Sequence, residues 1–452
     1  MKYFKFTLPL LFLSLGSVAQ TTIVKQDVAL KEMVDEVSAK NIEANIRKLV
    51  SFKSRHTLSD TTSKTEGSGA ARNWLKSQYE LYAKESGGRM TVQFDTFTQP
   101  KSARIANPTK LKNVLAILKG TDPTDTRIYM VSGHYDSRVN DVMDANSVEP
   151  GANDDASGTA VSLELARVMA KRSFPATIIF MAVVGEEQGL DGSGNVAKRA
   201  KAEKWNIDAM LNNDIVGNTH GMDNDLKDNT HVRVFSDGIP TTAAGNERQI
   251  AGLISNGGEG DSPSRELARY TKEIAERYVD QLDVKLIYRR DRYSRSGDHV
   301  PFLQQGFTAV RFTEMNEDFT RQHQSIRTEK GINYGDLPDF VDYNYVQKVA
   351  RMNLSVLANL AWAPAEPQNV IMLSGGLTNN TDLKWDAPKE GEKPAGYYIL
   401  MRETISPYWE KKFFVTGNTA KLDYSKDNYF FAIQSVDADG HESLPIIPKS
   451  GR

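Results

Sequence analysis

Thr177-Ile178-Ile179-Phe180-Met181-Ala182-Val183-Val184-Gly185-Glu186-Glu187-Gln188-Gly189-Leu190 decides the fold class. Its first eight residues are nearly all apolar and rich in β-branched side chains. They read as a strand buried on both faces, the kind found in parallel sheets covered by helices. Two glutamates then leave the core side by side. Adjacent carboxylates repel unless a cation or a proton intervenes, so the end of this strand is a first candidate site for a metal or for acid–base chemistry.

The pattern continues on either side. Residues 91–97, 113–118, 127–132, 207–211, 232–235, 284–288 and 308–312 read as strands, and 157–171, 263–282 and 345–361 as helices. Ser262 is placed to cap the second of these helices, with Pro263 in its first turn. The alternation implies an α/β domain on a mixed, largely parallel central sheet flanked by helices. Such sheets place ligands outside the carboxyl ends of their strands.

The two ends of the chain read differently. Lys2 and Lys5, the apolar run 6–15 and Ser17-Val18-Ala19 form the three parts of a secretory signal, so residues 1–19 are expected to be removed on export to a periplasmic or extracellular space. The apolar run is too short to span a bilayer, and no later stretch is long enough. Ala363-Pro364-Ala365-Glu366-Pro367 interrupts the helical pattern, and short strand-like runs follow at 370–373, 382–385, 397–402, 412–415 and 429–436. The expected division is a signal at 1–19, a catalytic domain at 20–362, a linker at 363–368 and a small all-β sandwich at 369–452.

Composition narrows the chemistry. The 452 residues hold 56 basic and 58 acidic side chains, a balance that gives no electrostatic steering towards nucleic acid or anionic membrane. Without a single cysteine, thiolate metal sites and cysteine nucleophiles are excluded. Any metal must be held by carboxylates and the seven histidines.

Four motifs offer such ligands. His134 and Asp136 stand two apart after the run 127–132, where both face one way and Asp136 is placed to fix the imidazole tautomer. By itself such a pair is more often a structural hydrogen bond. Asn153-Asp154-Asp155-Ala156-Ser157-Gly158 opens a helix, where acidic residues commonly serve only as caps. Glu186-Glu187 and Asp214 follow strands, and late histidines stand at His299 and His323.

Taken together and in this order, these motifs resemble the M28 zinc peptidases, from the signal to the linker. The runs around Trp385, 396–400 and 429–437 resemble a fibronectin type III domain. The first resemblance implies two zinc ions per chain. One would be held by His134, Asp154 and Asp214, the other by Asp154, Glu187 and His323, with Asp154 bridging. It makes Glu186 the general base, acting on water between the metals, and implies a cis peptide between Asp154 and Asp155. His323 sits in Gln322-His323-Gln324, unlike the commoner Tyr-His-Thr form, and His299 in Asp298-His299-Val300-Pro301-Phe302 is its rival. Tyr293, His299 or an arginine of the loop 291–295 is expected to contact substrate or the oxyanion. The expected activity is aminopeptidase cleavage of peptides with a free N-terminus, the C-terminal sandwich offering a surface for protein contact. A glutaminyl-cyclase-like acyltransferase with one zinc and an inactive binding protein are the alternatives.

Overall fold

The structure is a computed structural model that describes residue 24 and residues 26–451; the expected signal at 1–19 lies outside the described residues. Eight strands build the main sheet: β1 (Met90–Gln99), β2 (Thr109–Leu118), β3 (Arg127–His134), β4 (Thr177–Val183), β5 (Asn206–Asn213), β6 (His231–Phe235), β7 (Asp283–Ile287) and β8 (Ala309–Glu314). Their spatial order is β1-β2-β4-β3-β5-β8-β6-β7. The four central strands β4, β3, β5 and β8 run parallel, while β1–β2, β2–β4 and β6–β8 pair antiparallel.

The helices are α1 (Val28–Asp35), α2 (Ala39–Val50), α3 (Gly67–Ala83), α4 (Ala156–Met169), α5 (Glu186–Gly189), α6 (Asp191–Ala202), α7 (Glu247–Ser255), α8 (Pro263–Tyr278), α9 (His299–Gln304) and α10 (Tyr343–Trp362). Strand alternation sorts the core into two layers. Val131, Ile178 and Phe180 face one cluster with Leu163 and Ala166 of α4 and Leu354 and Leu357 of α10. Met130, Ile179 and Met181 face the other, with Val196 and Ala200 of α6 and Phe302 of α9. Because both faces are covered, β4 buries every residue after Thr177. Ser262 caps α8, its hydroxyl accepting from the Arg265 amide at 3.2 Å. Among the described residues no helix is long and apolar enough to cross a membrane.

A short hairpin, β9 (Arg327–Glu329) with β10 (Ile332–Tyr334), leads towards α10. The C-terminal strands are β11 (Gln368–Leu373), β12 (Thr381–Asp386), β13 (Gly396–Glu403), β14 (Lys411–Val415), β15 (Thr419–Leu422), β16 (Tyr429–Val436) and β17 (Lys449–Gly451). They form a four-stranded sheet β15-β12-β11-β17 and a three-stranded sheet β14-β13-β16 around Trp385, Tyr397, Ile399, Phe413 and Ile433. The segment expected to be a linker is pinned down: Arg127 donates to the carbonyls of Ala363 at 2.7 Å and Pro364 at 3.2 Å.

The C-terminal sheets also dock on α8 through buried charge. Fully buried Glu442 lies 3.1 Å from Arg277 and 2.9 Å from Lys412, and its amide donates to Asn359 of α10. Burial opposes ionisation of Glu442, but Lys412 and Arg277 outweigh it and hold its pKa below the ordinary carboxylate range. Removing Glu442 leaves Lys412 and Arg277 with only the more exposed Glu273 to offset them, which costs more than the pair itself contributes. Glu442→Ala is therefore expected to destabilise the protein by about 3 kcal/mol in equilibrium urea unfolding. A loss under about 0.5 kcal/mol, the scale of a surface substitution, would show that the contact is not part of the folded core.

Candidate metal centre

The site forms where β3, α4 and β5 meet by backbone. A Cβ on Gly133 would lie 2.3 Å from the Gly158 carbonyl carbon, and one on Gly158 would lie 2.2 Å from the Asn213 carbonyl oxygen. No side chain fits there, so the ends of three elements close on one point. His134 ends β3, Asp154 stands just before α4, and Asp214 follows β5. His134 Nε2 is 3.3 Å from Asp154 Oδ1 and 3.9 Å from Asp214 Oδ1.

The other oxygen of Asp154 faces a second group. His323 Nε2 lies 2.9 Å from Asp154 Oδ2 and 3.0 Å from Glu187 Oε1. The two sets, His134–Asp154–Asp214 and Asp154–Glu187–His323, each bring three candidate ligand atoms within 4.8 Å of one another and share Asp154. The histidine and carboxylate donors suit zinc, and the buried Glu187 Oε1 has no hydrogen-bond partner to satisfy it. Both sets therefore fit a divalent cation.

The doubled aspartate splits its duties. Its peptide bond is cis. Asp155 turns from the cavity to cap α4, accepting from the amides of Gly158 and His134, each at 2.9 Å. The amides of Asn153 and Asp154 donate to the buried Asp336 at 2.9 and 2.7 Å, which fixes the loop that carries Asp154. Arg55, also fully buried, ties this loop to the His134 strand end by donating to the carbonyls of Tyr135 and Gly151, each at 2.8 Å. Sequence reasoning missed Arg55 and Asp336, which lie far from the motifs along the chain.

His134 Nδ1 is 3.1 Å from the Asp136 carbonyl and 3.6 Å from its carboxylate. The backbone oxygen is thus the nearer acceptor, and the Asp136 carboxylate takes the Thr57 hydroxyl at 2.8 Å. Either oxygen of Asp136 can hold the proton on Nδ1 and leave Nε2 free as a ligand. Glu186 and Glu187 sit on the single turn α5, entered through Gly185 at φ 79°. The strand has ended before them, so their divergence is helical rather than the strand alternation that the apolar run suggests. Arg138 Nε holds Glu187 Oε2 at 2.8 Å, and Arg138 Nη2 lies 2.7 Å from His323 Nδ1. Glu186 lines the cavity, and among the described residues its carboxylate has no hydrogen-bond partner.

Burial, opposed by His134 and reinforced by Asp214, Glu187 and Asp298, holds the Glu186 carboxyl well above the ordinary carboxylate range. Burial also disfavours charge on His323, but Glu187 and Asp154 outweigh it and push its pKa up to about 10. Asp154 is held well below its usual range, the histidines overriding its burial. Arg311 on β8 lies fully buried 2.9 Å from Asp214 and 2.8 Å from Asp291.

Two expected contacts fall elsewhere. Tyr293 is 81% exposed and bonded to Arg289, so it faces solvent rather than the cavity. His299 is buried behind the site with Nε2 on the Arg290 carbonyl at 2.8 Å, and burial lowers its pKa to about 4. Neither lines the cavity, whereas Arg292, Ser294 and Arg295 of the same loop do.

Residues 113–346 match the family description Peptidase family M28. A probable zinc metalloprotease of Pyrenophora teres f. teres is 46% identical over 423 residues, 93% of this chain and 87% of that one. Another, of Leptosphaeria maculans, is 46% identical over 428 residues, 93% of this chain and 97% of that one. The solved Legionella pneumophila LapA aminopeptidase shares the fold, with a TM-score of 0.52 at 19% identity over 76% of this chain and 78% of that one. By its motif-bearing segment and by its likeness to relatives over nearly its whole length, the chain belongs to peptidase family M28.

Proposed function

We propose that the protein is an exported, two-zinc aminopeptidase. The observation that carries this reading is the pair of three-residue ligand groups joined at Asp154, with an unbonded Glu186 beside them. His134 and Asp214 would complete the first zinc site, Glu187 and His323 the second. Zinc, when bound, lowers the pKa of a coordinated water and polarises the scissile carbonyl. Glu186 accepts the proton of the attacking water and returns it to the leaving amine. Its buried setting makes it more basic than an ordinary carboxylate, which suits both transfers. Asp136 keeps His134 in the ligating tautomer, and Arg138 holds Glu187 in place.

A single-zinc acyltransferase would leave one of the two ligand groups without a purpose, and a binding-only protein would have no use for Glu186. The signal features at 1–19 support export. The seven C-terminal strands in two facing sheets support the fibronectin type III resemblance and a boundary near residue 363. Their outer surface is free to serve as a contact site.

Three outcomes test this reading. Elemental analysis of the purified protein should find two zinc ions per chain. Glu187→Ala should lower zinc and activity together, while Glu186→Gln should keep its zinc and lose roughly 10²–10⁴-fold in kcat on an aminoacyl anilide. A fully active Glu186→Gln, or one that loses zinc as completely as Glu187→Ala, would overturn the assignment. A chain ending at residue 366 retains every proposed ligand but exposes the docking face of α8. It should bind zinc as the full chain does and melt several degrees lower. Loss of zinc from the folded truncated protein would refute the boundary.

A further inference from the structure

The cavity beside the ligand groups measures about 470 Å³. A pocket shaped for an aliphatic side chain is walled mainly by apolar groups. Here Leu190 and Ile215 are the only large apolar residues of the lining. Arg104, Arg138, Arg292, Arg295 and Arg311 supply five guanidinium groups instead.

Three of these already have partners. Arg138 pairs with Glu187 at 2.8 Å, Arg292 with Glu317 at 2.5 Å, and Arg311 with Asp214 and Asp291. Arg104 and Arg295 are exposed, and among the described residues no carboxylate forms an ion pair with either. Arg104 is nonetheless positioned, since its Nη1 donates to the Glu187 carbonyl at 2.8 Å. That bond ties it to the turn that carries Glu186. Arg295 approaches from the loop between β7 and α9 and makes no side-chain hydrogen bond.

Charge balance gives these two groups their meaning. On the two-zinc reading, upon which this inference rests, every carboxylate lining the cavity is a metal ligand or the proton carrier. The cations offset those acids, and none is left to offset Arg104 and Arg295. A guanidinium presents a planar fork that matches a carboxylate with two parallel hydrogen bonds. We propose that Arg104 and Arg295 recognise a carboxylate of the substrate close to the scissile bond, so that the preferred substrates are short peptides that carry a carboxylate within a residue or two of the bond cleaved.

That carboxylate has two sources, an acidic side chain or the free C-terminus of a short peptide, and matched peptides separate them. Glu-Ala-Ala-amide against Gln-Ala-Ala-amide varies only the side chain. Ala-Ala-Ala against Ala-Ala-Ala-amide varies only the terminus. Turnover is followed with the zinc-loaded enzyme, and binding by titration calorimetry with zinc-loaded Glu186→Gln, so that recognition is read apart from chemistry. In one of the two arms the acid form should be favoured about tenfold or more in both kcat/KM and Kd. Arg104→Ala combined with Arg295→Ala should reduce that preference to about twofold at unchanged zinc content. Both positions are exposed, so the double variant is expected to fold. Equal treatment of acid and amide in both arms, or a preference that survives the double substitution, would overturn the proposal. Selective binding without turnover of any peptide would leave it standing and overturn the peptidase reading. Turnover without selectivity would do the reverse.

Discussion

The convergence of carboxylates on one point is the constraint around which the rest of the molecule is arranged. Glu186, Glu187 and Asp214 reach a single cavity from beyond the ends of parallel strands and Asp154 from the entrance of α4, while Asp155, Asp298 and Asp336 stand buried close behind. Like charges in a low-dielectric setting raise one another's pKa or demand cations. Both responses are visible. Burial and neighbouring acids push Asp298 up to about 7 and Asp336 to about 6, whereas Asp154, between two histidines, is held low. The group with the most histidine neighbours is the one shared by both ligand sets, as a bridge between cations should be.

A cluster of this kind folds only if the scaffold opposes its repulsion. Backbone donors around the site do so: the amides of His134 at the end of β3, of Asn153 and Asp154 in the loop before α4, and of Gly158 in its first turn each point at a buried carboxylate. Glu314 at the end of β8 works the same way, accepting from Asn153 Nδ2 at 2.8 Å and from the Asn218 amide at 2.7 Å. Arg311 in the cavity wall and Arg55 beneath the loop that carries Asp154 add positive charge. Burying an arginine is costly unless its donors are used, and Arg55 spends its own on three loop carbonyls. The closeness of Gly133, Gly158 and Asn213 then sets the spacing, since any side chain there would push the ligand-bearing ends apart.

How much of this the sequence revealed follows from where the signals lie. The eight main strands and α4, α8 and α10 were legible because buried strands and amphipathic helices repeat at fixed periods. His134, Glu187 and Asp214 were legible because each stands at or within a few residues of a strand end, and Asp154 because it opens a helix in a doubled aspartate. Residues that act across long separations were not: Asp336 follows Asp154 by 182 positions and contacts it only through the fold. Helix α7 was missed for another reason: Ile250, Leu253 and Ile254 share one face, but nine residues are too few to set a helical period apart from a loop, and none of them is buried. In α6, glycines at 192 and 194 hid the helix. Tyr293 was expected at the site because it shares a loop with the arginines, but a loop has no periodicity from which side-chain direction follows. The linker was read from its prolines, which correctly end α10, while the anchoring of its carbonyls by Arg127 depends on a residue far away along the chain.

The two adjacent glutamates differ from their neighbours along the chain in local geometry, and that geometry decides what each can reach. Alternation in a strand would send them to opposite faces of the sheet, and one would then be buried in a core layer. The chain instead leaves β4 through a left-handed glycine and makes one helical turn, on which neighbouring side chains lie about 100° apart. That angle lets both reach the cavity without sharing a partner. Glu187 meets Arg138 and His323, whereas burial and the neighbouring acids, opposed by His134, hold Glu186 above the ordinary carboxylate range. The asymmetry arises from what surrounds each carboxylate rather than from the residues themselves. A ligand needs a permanently ionised group and a proton carrier needs one that can take up a proton near neutral pH. Under the assignment proposed for these two residues, the turn at Gly185 offers a ligand and a proton carrier from two identical side chains.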